Sequence, residues 1–200
     1  PRFSASYDLS DKWSINANTG RYYQLPAYTI LGYESNGNLV NEDNLKYMLS
    51  DHVVTGLEWR PKKYTKITFE GFYKGYQNYP SSISKGISLA NLGSDFGVVG
   101  NEAVVSNSTG RAYGTELFIQ QKAVKGFYGI LSMTWVRSEF KTPSDATFIP
   151  SSWDSQYLIT ATLGKKFKKG WEVGARWRFV NGRPYTPLLL PYSRYRSVYD

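Results

Sequence analysis

The sequence predicts an all-β fold: an antiparallel up-and-down meander of about eight strands that form part of a larger transmembrane β-barrel. Three observations support this prediction. Apolar and polar residues alternate with a period of two in several separate segments of the chain. These segments run to about 10 residues, whereas strands of soluble sheets typically have about 5 or 6. The connections between them alternate between very short and very long, as in outer-membrane barrels.

The composition excludes several other classes of protein. Aromatic residues make up 16% of the 200 residues, which suits strands and the aromatic belts of membrane interfaces. Cysteine is absent and His52 is the one histidine, so we expect no disulfide, metal site or cofactor. No stretch approaches the ~18 apolar residues of a membrane helix. The net charge of +8 comes mostly from lysines in short turns, so we expect no nucleic-acid partner.

The clearest alternation spans residues 171–180, where apolar and charged residues occupy opposite faces of one predicted strand. A helix would scatter the tryptophans and arginines of this segment around its circumference. The same pattern predicts the other strands. In chain order, the predicted strands cover residues 3–9, 13–18, 53–60, 65–74, 113–120, 131–135, 159–164 and 171–180.

The predicted connections indicate which ends of the strands lie together. Short turns are predicted at residues 10–12, 61–64, 122–126 and 165–170, and long loops at 23–51, 77–111 and 139–154, with an open tail from Asn181 onward. Short turns of outer-membrane barrels face the periplasm and long loops face outward. Both chain ends would then lie outside the cell, whereas complete bacterial barrels normally keep both termini in the periplasm. We therefore expect residues 1–200 to form a partial barrel domain without its closing strands.

The polar face of the predicted strands carries small and charged residues. Serines, asparagines and threonines such as Ser6, Asn16 and Thr160 fit a wide lumen, because a small barrel must fill its interior with side chains. Charged residues on this face are expected to point into the lumen, where they pair across neighbouring strands or contact a plug. They are Glu58, Arg60, Lys66, Glu70, Glu116, Glu172, Arg176 and Arg178.

Several short phrases are similar to a known family. They are residues 8–14 (DLSDKWS), 20–26 (GRYYQLP), 50–59 (SDHVVTGLEW), 114–117 (GTEL) and 182–187 (GRPYTP). Together they span nearly all of the chain, and they resemble barrel strands of TonB-dependent outer-membrane receptors. The resemblance implies a place in the bacterial outer membrane and a full-length barrel of about 22 strands around a plug domain.

The resemblance also implies a function and a set of partners. Such receptors import a scarce nutrient of the siderophore, cobalamin or glycan class, using the proton gradient of the inner membrane. The implied partners are outer-membrane lipid, the protein's own plug domain, TonB and a small-molecule or glycan ligand. The plug and the TonB-binding segment are absent from residues 1–200.

Candidate ligand contacts lie at the predicted outer ends of strands, because rigid scaffolds present function on loops. They are Arg21, Tyr22, Tyr23, Arg183 and Tyr185. Tyrosine and arginine suit stacking on, and hydrogen bonding to, a glycan or an aromatic chelate, and they equally suit anchoring at a membrane interface.

Two other readings of the sequence stay open. A complete eight-stranded outer-membrane barrel with a structural or adhesive role and a soluble β-sandwich binding domain would both show alternating strands. Catalysis is not expected, because His52 is the only possible histidine base and no GxSxG motif surrounds any serine.

Overall fold

A computed structural model describes residues 1–92 and 100–184 of the chain. Strands dominate it, and no helix in these ranges is long and apolar enough to cross a membrane. The long strands are β1 (Arg2–Ser10), β2 (Trp13–Gln24), β3 (Met48–Lys62), β4 (Thr65–Ser82), β5 (Val104–Val124), β6 (Phe127–Lys141), β7 (Gln156–Lys166) and β8 (Glu172–Val180).

Each long strand pairs antiparallel with the next one in the chain, so the sheet runs in order from β1 to β8. This topology confirms the predicted meander. The register keeps the alternation in phase from strand to strand: Leu57 of β3 lies opposite both Ile15 and Phe69. Within the described residues β1 and β8 are the two edges of the sheet and do not pair with each other. The described strands therefore do not close into an eight-stranded barrel.

Tight turns join the strands at one end of the sheet. The turn between β5 and β6 contains Lys125 and Gly126, which both have positive φ angles of 50° and 84°. Such a pair matches the right-handed twist of a hairpin. A Cβ on Gly126 would lie 2.3 Å from the carbonyl oxygen of Lys166, so glycine is required there. Lys169 and Gly170 repeat the pair of positive φ angles between β7 and β8.

The long connections lie at the opposite end and contain short elements of their own. The connection from β2 to β3 holds a helical turn (Tyr28–Leu31), a small hairpin (Glu34–Ser35 with Asn38–Leu39) and a 3₁₀ turn (Glu42–Asn44). Between β6 and β7, the strand Ile149–Pro150 pairs with β6. Short and long connections therefore alternate as predicted.

The strands extend further toward the long connections than the sequence predicted. The loop predicted over residues 77–111 was too long at both ends, because β4 continues to Ser82 and β5 begins at Val104. In this region the side chains no longer alternate between apolar and polar. Ser106 and Ser108 are 9% and 0% exposed. Backbone pairing continues here without the period-two pattern that marks the rest of the sheet.

The buried apolar cluster lies where the long connections meet the ends of β4 and β5, and not along the middle of the sheet. It consists of Ile30, Leu89 and Val104, with Leu45 and Tyr79 packed against it. By contrast, Leu163, Trp177 and Phe69 in the middle of strands are 64%, 57% and 52% exposed. The described part of the sheet is thus a single layer, which rules out a β-sandwich. Its apolar face needs a partner from outside the described residues.

Candidate functional site

The register divides the side chains of the eight strands between two faces. We call the face that carries Ile15, Leu57, Phe69, Met133 and Ile159 the aromatic face, because tryptophans, tyrosines and phenylalanines follow it from end to end. The opposite face is the polar face. One of its rows contains Ser6, Asn16, Gly56, Glu70, Glu116 and Thr134.

Four of the predicted charged residues have a partner of opposite charge on the polar face. Glu58 forms ion pairs with Arg60 and with Lys66, whose Nζ lies 3.5 Å from Glu58 Oε2. Glu172 accepts a hydrogen bond of 2.6 Å from Tyr128 Oη, and Lys166 Nζ lies 3.9 Å from its other oxygen. Lys166 and Tyr128 were not among the predicted residues.

The other charged residues have no such compensation. Glu70 lies directly opposite Glu116 in the register, and within the described residues neither forms an ion pair. Ser132 Oγ donates to Glu116 Oε1 over 3.3 Å. The two glutamates line one cleft of about 230 Å³ with Asn16, Lys66 and Phe118. Like charges directly opposite each other are destabilising unless a cation compensates them.

Two arginines of β8 also form no ion pair within the described residues. Arg176 lies opposite Thr162 and Arg178 lies opposite Thr160. Neither arginine meets an acidic side chain within the part of the chain that the structure describes. The polar face therefore carries an acidic patch on β4 and β5 and a basic patch on β8.

The candidate ligand contacts of β2 converge in part: Tyr22 and Tyr23 line one cleft, whereas Arg21 does not line it. Arg21 lies on the aromatic face, where its Nε and Nη2 atoms donate to Asp51 over 2.7 and 2.9 Å. Tyr22 lies on the polar face, with its ring centroid 4.5 Å from that of His52. Tyr23 lies two positions after Arg21 and therefore on the same face of the strand, and it is 62% exposed. Successive strand residues point to opposite faces, so this separation follows from the period itself.

The remaining two candidates lie after β8. Arg183 is exposed and has no ion pair among the described residues. Tyr185 lies outside the described residues.

Tyr22 belongs to a cleft on the polar face at the end of the long connections. We call this the tyrosine cleft; it has a volume of about 480 Å³, and its lining includes Tyr22, Tyr23, Met48, Ser50, His52, Tyr76 and Tyr79. Ser50 Oγ lies 2.7 Å from His52 Nε2. The register explains the grouping, because Ser50 lies opposite both Tyr22 and Tyr76. Sequence reasoning missed His52, Tyr76 and Tyr79, since their grouping depends on the pairing of β3 with β4.

The chemistry of the tyrosine cleft suits binding. Phenol rings and an imidazole offer flat faces for stacking, and their polar atoms offer hydrogen bonds. Phe140 packs against two of these tyrosines, with its ring centroid 5.4 Å from that of Tyr76 and 4.7 Å from that of Tyr79. Among the described residues, no group of three or more His, Cys, Asp and Glu side chains is placed to hold a metal ion.

A single-layer meander of this kind is a section of the wall of an outer-membrane barrel: one face is apolar, the other is polar, and tight turns and long loops lie at opposite ends. The sequence model of the family described as "TonB dependent receptor-like, beta-barrel" matches residues 1–197. The chain belongs to this family. Its members reside in the bacterial outer membrane and act in transport, not in enzymatic catalysis.

Solved structures agree with this assignment at the level of the fold. The ferric-catecholate import receptor Fiu from E. coli K12 superposes with a TM-score of 0.65 at 17% identity, over 90% of this chain and 24% of that one. The copper transporter OprC superposes with a TM-score of 0.61 at 18% identity, over 88% of this chain and 25% of that one. The FrpB iron transporter from Neisseria meningitidis superposes with a TM-score of 0.62 at 15% identity, over 90% of this chain and 26% of that one. The chain therefore spans about a quarter of each of these proteins. No curated protein sequence matches the chain.

Proposed function

We propose that the chain is a wall segment of a TonB-dependent transporter that imports a scarce nutrient of the siderophore, cobalamin or glycan class. The observation that carries this proposal is the tyrosine cleft on the polar face, at the end where the long connections fold together. In the proposed arrangement the polar face lines the lumen and the aromatic face contacts lipid. The plug domain, TonB and the ligand are partners of the full-length protein.

The position of the tyrosine cleft supports ligand capture at the outer mouth of the lumen. Its rings are carried by paired strands, and a rigid scaffold holds a binding surface in place. The rings of His52 and Tyr22 pack at a tilt of 35°, and the ring of Tyr76, which packs against Phe140, lines the same cleft from the neighbouring strand. A ligand that presents aromatic rings or sugar rings with hydroxyl groups fits this chemistry best.

The charged residues that form no ion pair within the described part of the sheet support a lumen filled by a plug domain. Glu70 and Glu116 would be stabilised by a basic surface of the plug, and Arg176 and Arg178 by an acidic one. Glu58 with Arg60 and Lys66, and Glu172 with Lys166, would then serve the wall itself, because each group is already compensated within it.

Substitutions in the full-length receptor test the proposal. A strain that relies on this receptor is supplied with ferric siderophores, cobalamin or oligosaccharides, and TonB-dependent uptake of each is measured. For the ligand that is taken up, we expect Tyr76→Ala to weaken binding about tenfold, the loss expected for one aromatic contact. Tyr73→Ala is the matched control, because Tyr73 lies on the same strand but on the aromatic face and is 50% exposed.

Two results would refute the proposal. One is that the receptor takes up none of these ligands, or takes one up equally well without TonB. The other is that Tyr76→Ala and Tyr73→Ala receptors, present at equal amounts in the outer membrane, bind the ligand equally well.

A further inference from the structure

The aromatic face carries a groove near the tight turns, which we call the turn-end groove. It has a volume of about 550 Å³ and is open along one side. Small residues (Gly129, Ala161 and Ala175) form its floor, and larger side chains such as Leu131, Phe127 and Phe167 rise beside it. The groove crosses β6, β7 and β8, so it belongs to the interior of the sheet as well as to its edge. Its surface is almost entirely apolar.

One charged residue, Lys165, lines this groove among the described residues. Its Nζ atom lies 4.1 Å from the ring centroid of Phe127 and 5.0 Å from that of Phe167. Cation–π contacts of this kind hold an ammonium group in place without neutralising it. Within the described residues, Lys165 forms no ion pair with an acidic side chain. A positive charge is thus fixed at the turn end of an apolar groove.

The two turns next to the groove add to this positive charge. The β5–β6 turn contributes Lys125, and the β7–β8 turn contributes Lys168 and Lys169. Lys122 and Lys166, near the ends of β5 and β7, line a separate cleft with Glu172. The nearest acidic residue, Glu172, is already paired with Lys166. Clusters of lysines beside an apolar membrane surface attract anionic lipid headgroups.

We propose that the turn-end groove binds one acyl chain of an anionic phospholipid, with the phosphate of its headgroup beside Lys165. The occupant belongs to the periplasmic leaflet, because the groove lies at the end of the tight turns. This inference depends on the proposed function in one respect, namely that the turns face the periplasm and the aromatic face contacts lipid. The apolar floor of the groove binds the acyl chain, and the lysines attract the negatively charged headgroup.

Lipid retention by the full-length receptor tests the inference. The protein is purified in mild detergent, incubated with phosphatidylglycerol or with phosphatidylcholine of the same chains, and analysed by native mass spectrometry. We expect the wild type to retain phosphatidylglycerol in preference to phosphatidylcholine. Lys165→Ala should lower phosphatidylglycerol retention about fivefold, as expected for one lost lysine–lipid contact. Ala161→Phe should lower the retention of both lipids, because it fills the floor.

Matched controls separate the groove from the rest of the aromatic face. Ala17→Phe adds the same ring on the exposed aromatic face of β2, and Lys63→Ala removes a lysine from a different turn; both should retain lipid like the wild type. Equal retention of the two lipids by the wild type would overturn the inference. So would equal losses in Ala161→Phe and Ala17→Phe. Tyr76→Ala should leave lipid retention unchanged, so a failure of the uptake test and a failure of this one are distinguishable.

Discussion

Tyr128 Oη donates a hydrogen bond of 2.6 Å to Glu172 Oε1, and the Tyr128 ring reaches Glu172 by lying across Gly164. A Cβ on Gly164 would come within 2.2 Å of Tyr128 Oη, so the absence of a side chain at Gly164 makes the contact possible. The same arrangement recurs at the other end of the polar face, where Phe140 covers Gly110. Aromatic rings laid over glycines therefore cover parts of the wall that would otherwise expose backbone.

The Gly164→Ala substitution should lower the stability of the receptor, because Tyr128 must leave its position and lose its bond to Glu172. The measurement is the denaturant midpoint of the full-length receptor in bilayers. Gly71→Ala is the control, since a Cβ there meets no atom within 4 Å. A midpoint for Gly164→Ala equal to that of Gly71→Ala would show that the Tyr128 contact contributes nothing.

Asn41 links two of the long connections and is 0% exposed. Its Nδ2 donates to the carbonyl oxygens of Ile30 and Glu102 over 2.8 and 2.9 Å, and its Oδ1 accepts from Val104 N over 2.9 Å. Asn41→Ala should destabilise the folded connections by about 3 kcal/mol, because each buried group left without a partner costs about 1–3 kcal/mol. Hydrogen exchange of residues 28–45 measures this loss.

Asn44 provides the control for that substitution, because it lies in the same connection but is exposed, and its side chain donates to Val40 O over 3.2 Å. Asn44→Ala should leave exchange close to that of the wild type. Equal acceleration of exchange by both substitutions would argue that Asn41 has no special role.

Glu102 ties the start of the β4–β5 connection to its end. Partial burial alone would raise the pKa of Glu102, but hydrogen bonds from Ser82 and Ser84 and the charge of Lys85 outweigh it, and the pKa is lowered from 4.5. The stabilisation is therefore fully present above pH 4.5 and is lost as the pH falls through the lowered pKa. Hydrogen exchange of residues 82–86, corrected for intrinsic rates, should accelerate in that acidic range.

Glu102→Gln should remove most of this pH dependence, because its side chain does not titrate. Glu42→Gln, an exposed position in the β2–β3 connection, should keep it. The interpretation fails if the wild type and Glu102→Gln respond identically to acid.

The strands and their order were predictable from the sequence wherever one face of a strand is apolar and the other is polar. The segment predicted at 171–180 is observed as Glu172–Val180, because apolar and polar side chains alternate along all of it. The prediction was wrong where that contrast ends. Val104 and Ser108 are both fully buried beneath the connections, so the sequence there carries no alternation although the backbone remains paired.

The candidate site was predictable only in part, for a reason of register. Tyr22 was found because it lies at the end of a recognisable strand. Its partner Tyr76 sits 54 positions further along the chain, and the two are brought together by Ser50 between them. That alignment depends on the turn at residues 63–64, where Lys62 pairs with Thr65. A shift of one residue would have moved Tyr76 to the aromatic face.

The central claim is that the aromatic face meets lipid while the polar face does not, and two adjacent positions test it. Ala175 lies on the aromatic face opposite Leu163, and Gly174 lies on the polar face, where the nearest atom to an added Cβ is 3.6 Å away. The measurement is the free energy of folding of the full-length receptor into phospholipid bilayers. Ala175→Arg should cost about 2–4 kcal/mol if the site is near mid-membrane, and less toward the interface. Gly174→Arg should cost much less, and equal costs at the two positions would contradict the assignment of the faces.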